Sequence, residues 1–121
     1  MLHNDPVAAL TPQVVEWRHH IHANPELGFS EYETARFVAD KLRAFGLDEI
    51  HEGIGGTGVV GVLRGRSGTR AIGLRAELDA LPVLEKTGLP YASKRDGVMH
   101  ACGHDGHTAM LLGAARLLAD S

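Results

Sequence analysis

Eight consecutive residues, His100-Ala101-Cys102-Gly103-His104-Asp105-Gly106-His107, carry one thiol, three imidazoles and a carboxylate. Thiolate and imidazole suit zinc and similar divalent ions, and the single residue between Cys102 and His104 lets both side chains point to one side of a turning backbone. Gly103 and Gly106 give such a loop the freedom it needs. A helix expected from about His107 would aim its positive end at this loop, favouring the thiolate of Cys102 and any anionic ligand of a bound ion. Spacing alone leaves a second reading open, in which the thiol is merely a small buried group and the imidazoles are satisfied by backbone carbonyls. Cys102 is the only cysteine. A structural zinc site usually closes on four protein ligands, so a site completed by distant segments fits better than a zinc finger. A redox-sensing thiol has only the position of Cys102 in its favour.

A second segment, Arg75-Ala76-Glu77-Leu78-Asp79-Ala80-Leu81-Pro82, places two carboxylates where a strand should leave its sheet, and ligand-binding groups collect at such ends in α/β folds. A plain solvated strand end remains the alternative. On a helix, His19 and His22 share a face but lack a carboxylate at a metalloprotease spacing, so His19, His20 and His22 read as structural.

These groups must be positioned by a short series of elements. Thr11 is a candidate N-cap with Pro12 at the first helical position, and a helix should run from there to about His22, with Val14, Ile21 and Trp17 or Arg18 at helical spacing. Asn24-Pro25 ends it. Ser30 and Glu33 form a capping-box pattern before a helix predicted from Glu31 to Phe45, with Ala35, Val38, Leu42 and Phe45 as its stripe and Gly46 as its left-handed cap. Val59 to Leu63 reads as a strand, Gly65-Arg66-Ser67-Gly68 as a turn, and Arg70 to Leu78 as the returning arm of a hairpin. Asp79 to Asp96 should be mostly irregular, with room for one short helical turn. A last helix from about His107 to Ala119 should bury Met110, Leu111, Ala114 and Leu118. The series predicts a layered α/β fold.

Composition narrows the classes further. With 121 residues, 44% hydrophobic and 22% charged, the chain is one domain or part of one, with a small packed core rather than a disordered or disulfide-built structure. A formal charge of -3 speaks against a phosphate-backbone binder, so no nucleic-acid partner is expected. No run approaches the length needed to span a bilayer and the start lacks a signal-peptide pattern, so no membrane association and a cytoplasmic location are expected.

Taken together, Met99-His100-Ala101-Cys102-Gly103-His104-Asp105-Gly106-His107-Thr108, the Arg75 to Pro82 segment and His22-Ala23-Asn24-Pro25-Glu26-Leu27-Gly28-Phe29 closely resemble the M20 metallopeptidase family. The nearest branch is the aminoacylase-type amidohydrolases, which include hippurate hydrolases and auxin-conjugate hydrolases. The resemblance runs from about Val14 to Leu118. It implies a layered α/β/α metallohydrolase catalytic domain, of which this chain would hold two helices, a hairpin, a long loop and a third helix. It also implies hydrolysis of a small N-acyl amino acid, hippurate-like, with two divalent ions per site drawn from zinc, manganese, cobalt or nickel. Cys102 and His104 match family metal ligands, Cys102 at or near a bridging position, while Asp105 and His107 would shape the loop. Glu77 and Asp79 match an orienting motif, with Glu77, which stands where the family usually has Asp, the expected partner of a ligating histidine.

Family members run to several hundred residues and carry a Glu-Glu pair, one member of which is the general base. This sequence contains no Glu-Glu. Residues 1–121 are therefore expected to be the N-terminal part of a catalytic domain without its lid or dimerisation domain, inactive alone and prone to form homo-oligomers. The alternative is a non-enzymatic truncated remnant that self-associates and binds metal weakly through Cys102 and His104.

Overall fold

The computed structural model describes residues 5–66 and 68–121. The first helix, α1, spans Pro6–Ala23 and begins earlier than Thr11 because Asp5 is the better cap: its carboxylate accepts from the Val7 N–H at 2.9 Å, and Pro6 takes the first helical position. Thr11 instead lies inside the helix, its hydroxyl donating to the Val7 carbonyl. Pro12 is likewise interior, where it removes one helix hydrogen bond. The Asn24 N–H reaches back to the Ile21 carbonyl and the chain leaves the helix ahead of Pro25.

The second helix, α2, spans Tyr32–Phe45 and closes on Gly46 at φ 84, as the sequence predicts. Its capping box does not form. The Glu26 carboxylate takes the place of Ser30, accepting from the Glu33 N–H at 3.1 Å and from the Thr34 N–H and hydroxyl, both at 2.6 Å. One buried carboxylate serves two orphan amide donors at once, with one oxygen for each.

The strand expected at Val59 to Leu63 is present as β2, Gly58–Val62, but its partner is β1, Glu49–Ile54, and not Arg70 to Leu78. Gly53, Gly55 and Gly56 all have positive φ and reverse the chain between the two antiparallel strands, with a bulge between Glu52 and Ile54. Arg70 to Leu78 forms no strand among the described residues. The turn expected over Gly65 to Gly68 includes Ser67, which lies outside the described residues. From Leu63 to Arg75 the described chain is exposed and without regular structure.

Single bridges then tie the acid-bearing segment in place. Ala80 pairs in parallel with Leu27, Leu81 pairs with Met99, and the Lys94 N–H donates to the Ala23 carbonyl. No helical turn forms between Asp79 and Asp96.

The third helix, α3, spans His104–Asp120 and starts one turn before His107. Its buried face is Asp105, Thr108, Ala109, Leu112 and Gly113, while Met110 and Leu118, expected inside, are 60% and 53% exposed. Leu111 and Ala114 are half-buried. Asp105, anchored inside, shares its face with the apolar Ala109 and Leu112. Trp17, Val38, Leu42, Ala109 and Leu112 form the core between the three helices. A Cβ at Gly113 would come within 3.0 Å of Val14 Cγ2, so glycine lets α1 and α3 close on each other. Ile50 and Val59 bring the hairpin onto the α2 side of this core. Among the described residues, three helices and a two-stranded antiparallel sheet make the partial α/β fold that the sequence predicts. No helix among the described residues is long and apolar enough to cross a membrane.

Candidate metal centre

Gly103, left-handed at φ 81, caps α3 and turns the chain so that His104 opens the helix. His104 and His107 are three residues apart and therefore share a helix face. Opposite them runs the extended stretch holding Glu77 and Asp79, fastened to α3 by the Thr108 hydroxyl donating to the Glu77 carbonyl at 2.6 Å. Each acid meets a different imidazole. His104 Nδ1 lies 3.0 Å from both the Oδ1 and the main-chain carbonyl of Asp79, and His107 Nδ1 lies 2.9 Å from Glu77 Oε1. Glu77, expected to serve the ligating histidine, thus contacts His107, and Asp79 contacts His104. The hydrogen bond from His107 holds the Glu77 carboxyl below its ordinary range.

Glu77, His104 and His107 each offer one ligand atom, and these atoms lie within 4.8 Å of one another. Two imidazoles and a carboxylate are a donor set that zinc and related ions accept, and they leave room for further ligands. The chemistry of the donors therefore fits a divalent cation. Cys102 lies on the loop just before Gly103, exposed and outside that cluster. Of the expected residues the fold thus gathers Glu77, Asp79 and His104, adds His107, and leaves Cys102 at the rim.

Behind this face lies a buried ionic network that the sequence does not announce. His22, read as structural, has Nδ1 2.7 Å from Asp105 Oδ2 and Nε2 3.1 Å from both oxygens of Glu85. Arg18 Nε also reaches Asp105 Oδ2, at 3.1 Å. The side chains of His22, Asp105 and Glu85 are all no more than 3% exposed. Burial alone would raise the Asp105 carboxyl, but bonds from His22, the Gly106 N–H and Arg18 outweigh it and hold the group low. Glu85 behaves alike, burial being outweighed by Thr87, the Ser93 N–H and His22. Between network and cluster sits His100, 4% exposed with neither ring nitrogen partnered within the chain. Burial pushes its imidazole below the ordinary value, opposed in part by Asp105. The signal for Asp105 was its place in the motif; Glu85 carried none.

Comparison with known proteins bears on this geometry. Residues 73–121 match the model of peptidase family M20/M25/M40. A stretch of 102 residues is 62% identical to a hippurate hydrolase from Campylobacter jejuni subsp. jejuni, covering 84% of this chain and 26% of that protein. An N-acyl-L-amino acid amidohydrolase from Geobacillus stearothermophilus is 50% identical over 86% of this chain and 28% of its own length. Among solved structures, a dinuclear metal binding peptidase of Bacillus subtilis superposes with a TM-score of 0.87 at 42% identity, over 93% of this chain and 32% of that one. The chain spans between about a quarter and a third of the length of these relatives.

Proposed function

Because the chain belongs to peptidase family M20/M25/M40, we propose that it contributes part of the catalytic domain of a metal-dependent amidohydrolase that cleaves N-acyl amino acids, hippurate-like substrates among them. The observation that carries this reading is the convergence of Glu77, His104 and His107 within 4.8 Å on the segment that matches the family. The names of the two relatives, a hippurate hydrolase and an N-acyl amino acid amidohydrolase, support the substrate class. Cys102 and His104 are the proposed ligands, toward two ions drawn from zinc, manganese, cobalt or nickel.

Such ions, when bound, supply Lewis acidity toward the amide carbonyl and lower the pKa of a water. The residues of this chain do the positioning. Asp79 accepts from Nδ1 of His104, which fixes the tautomer and reserves Nε2 for coordination. Glu77 holds His107 in the same way. Both acids are occupied by imidazoles, so neither is the free carboxylate that relays a proton to the leaving amine. On this reading the chain by itself turns over nothing. Exposed Ile72 and Leu74, at 90% and 58%, favour self-association into homo-oligomers. A lone exposed thiol suits a reducing, cytoplasmic compartment.

The test is titration of zinc and manganese into the wild type, Cys102→Ser and His104→Ala, together with an assay on an N-benzoyl or N-acetyl amino acid. Both variants should bind less tightly, and none should hydrolyse the amide. Equal binding by all three would sink the ligand assignment. Metal-dependent turnover by this chain alone, abolished in Cys102→Ser, would show that a working site needs no further residues.

A further inference from the structure

We propose that His22 is a positioning residue for the metal-bearing end of α3: clamped between Asp105 and Glu85, it sets the rotation of the first helical turn and thereby the direction in which His104 presents its ring. The inference rests on the metal-dependent reading above and adds to it a residue from the far end of the chain.

Three observations point this way. The first is geometry: both nitrogens of His22 face carboxylates, Nδ1 toward Asp105 and Nε2 toward Glu85, so the ring is held at both ends. The half-exposed Arg18 adds a further contact to Asp105 Oδ2 from the solvent side, while His22, Asp105 and Glu85 themselves are buried. The second is economy. Trp17, Ala109 and Leu112 already dock α3 on α1, and apolar side chains of similar volume would be as stable as a buried ionic set or more so. Docking therefore does not explain the network. The third is helix phase. Asp105 lies on the buried face of α3 with Thr108, Ala109, Leu112 and Gly113, at its first turn, so the bond from His22 to its carboxylate ties the phase of that turn to α1. Each residue of a helix is displaced by about 100° from the last, so fixing Asp105 fixes its neighbour His104. Glu85 extends the clamp to the loop after Pro82 by accepting from the Ser93 N–H at 2.8 Å.

Two variants separate aiming from mere support. His22→Gln keeps roughly the size but has no second donor-bearing ring nitrogen. The triple variant His22→Leu, Glu85→Leu, Asp105→Leu removes the buried charge altogether and should melt no lower than wild type. Glu26→Gln, which loosens the start of α2 and touches nothing on α3, is the control for general destabilisation.

The metal-free readout is nitrogen NMR of the His104 ring. Wild type and Glu26→Gln should show a single Nδ1–H tautomer, and both network variants should show two tautomers in exchange. The second readout is cobalt(II) binding with its visible spectrum. Affinity should fall about tenfold or more in the network variants, with an altered band, and stay unchanged in the control. A triple variant that folds with the wild-type His104 tautomer overturns the proposal. Unfolding of both network variants overturns it too, because the network would then hold the fold rather than aim a ring. Failure of the wild type to bind cobalt would count against the metal reading alone, since the tautomer measurement still decides this one.

Discussion

Asp79 grips His104 with two acceptors at once, its carboxylate Oδ1 and its own main-chain carbonyl, each 3.0 Å from the ring Nδ1. A ring held so carries its proton on Nδ1 and offers the lone pair of Nε2. Removing the carboxylate leaves the carbonyl as a weaker hold, so Asp79→Ala should lower zinc affinity by about 10- to 100-fold. The side chain is 37% exposed, and helix content by circular dichroism should not change. Calorimetry showing undiminished affinity would mean that the carbonyl alone orients the ring.

Glu77 offers a different test because it is one methylene longer than the acid its motif usually carries. Glu77→Gln removes the charge beside His104 and His107 and should weaken metal binding. Glu77→Asp retains it, and in the complete enzyme that change should preserve or raise activity. A large loss there would show that reach to His107, now 2.9 Å, is what the longer side chain supplies.

Acid sensitivity should trace to the buried network. Asp105 and Glu85 have pKa values held below their ordinary ones, so the stability they contribute is fully present above the usual carboxylate range and is lost as pH falls through the depressed values. Melting temperature should decline gently below about pH 6.5, where the buried His100 resists the proton that the unfolded chain takes up, and drop further below about pH 4 as the two carboxylates are protonated. Asp105→Asn should lower the neutral plateau by about 3–5 kcal/mol and make the acid drop shallower. An unchanged acid limb in that variant would assign the sensitivity elsewhere.

Glu26 predicts a purely conformational effect. In Glu26→Gln an amide NH2 replaces one acceptor facing the Glu33 and Thr34 N–H groups, and the loss should be about 1–2 kcal/mol, as for a missing helix cap. Chemical denaturation reads it directly. A change of a few tenths would mean that Thr34 finds another partner.

The second helix was legible in the sequence because its signals are local: a 3.6-residue stripe through Val38 and Leu42, and a glycine at Gly46 that takes the left-handed conformation. Its cap was not, because the carboxylate that serves it comes from Glu26, outside any capping pattern. The hairpin was misread for a related reason. Glu49-Ile50-His51-Glu52-Gly53-Ile54 has little β-propensity of its own and is held by pairing with β2 and by the pairs of Arg43 with Glu52 and Arg64 with Glu49. Arg70 to Leu78 looked the better strand and has no partner among the described residues. In the site, the spacing of the motif around His104 carried the donors, whereas the pairing of each acid with its imidazole and the role of His22 depend on contacts between residues 25 to 83 positions apart.

The link from Leu63 to Arg75, exposed and irregular at its described residues, makes this molecule two interlocking halves. Everything before it, α1, α2 and the hairpin, is joined to everything after it by the Trp17–Leu112 core, the Leu27–Ala80 bridge and the His22–Asp105 bond. Arg64, Arg66 and Arg70 stand exposed along the link. A single tryptic nick there should leave a complex of two peptides that still migrates as one species, and the halves, expressed separately, should reassemble on mixing. New tethers could then be placed between other ends without disturbing the face that carries Glu77 and His104.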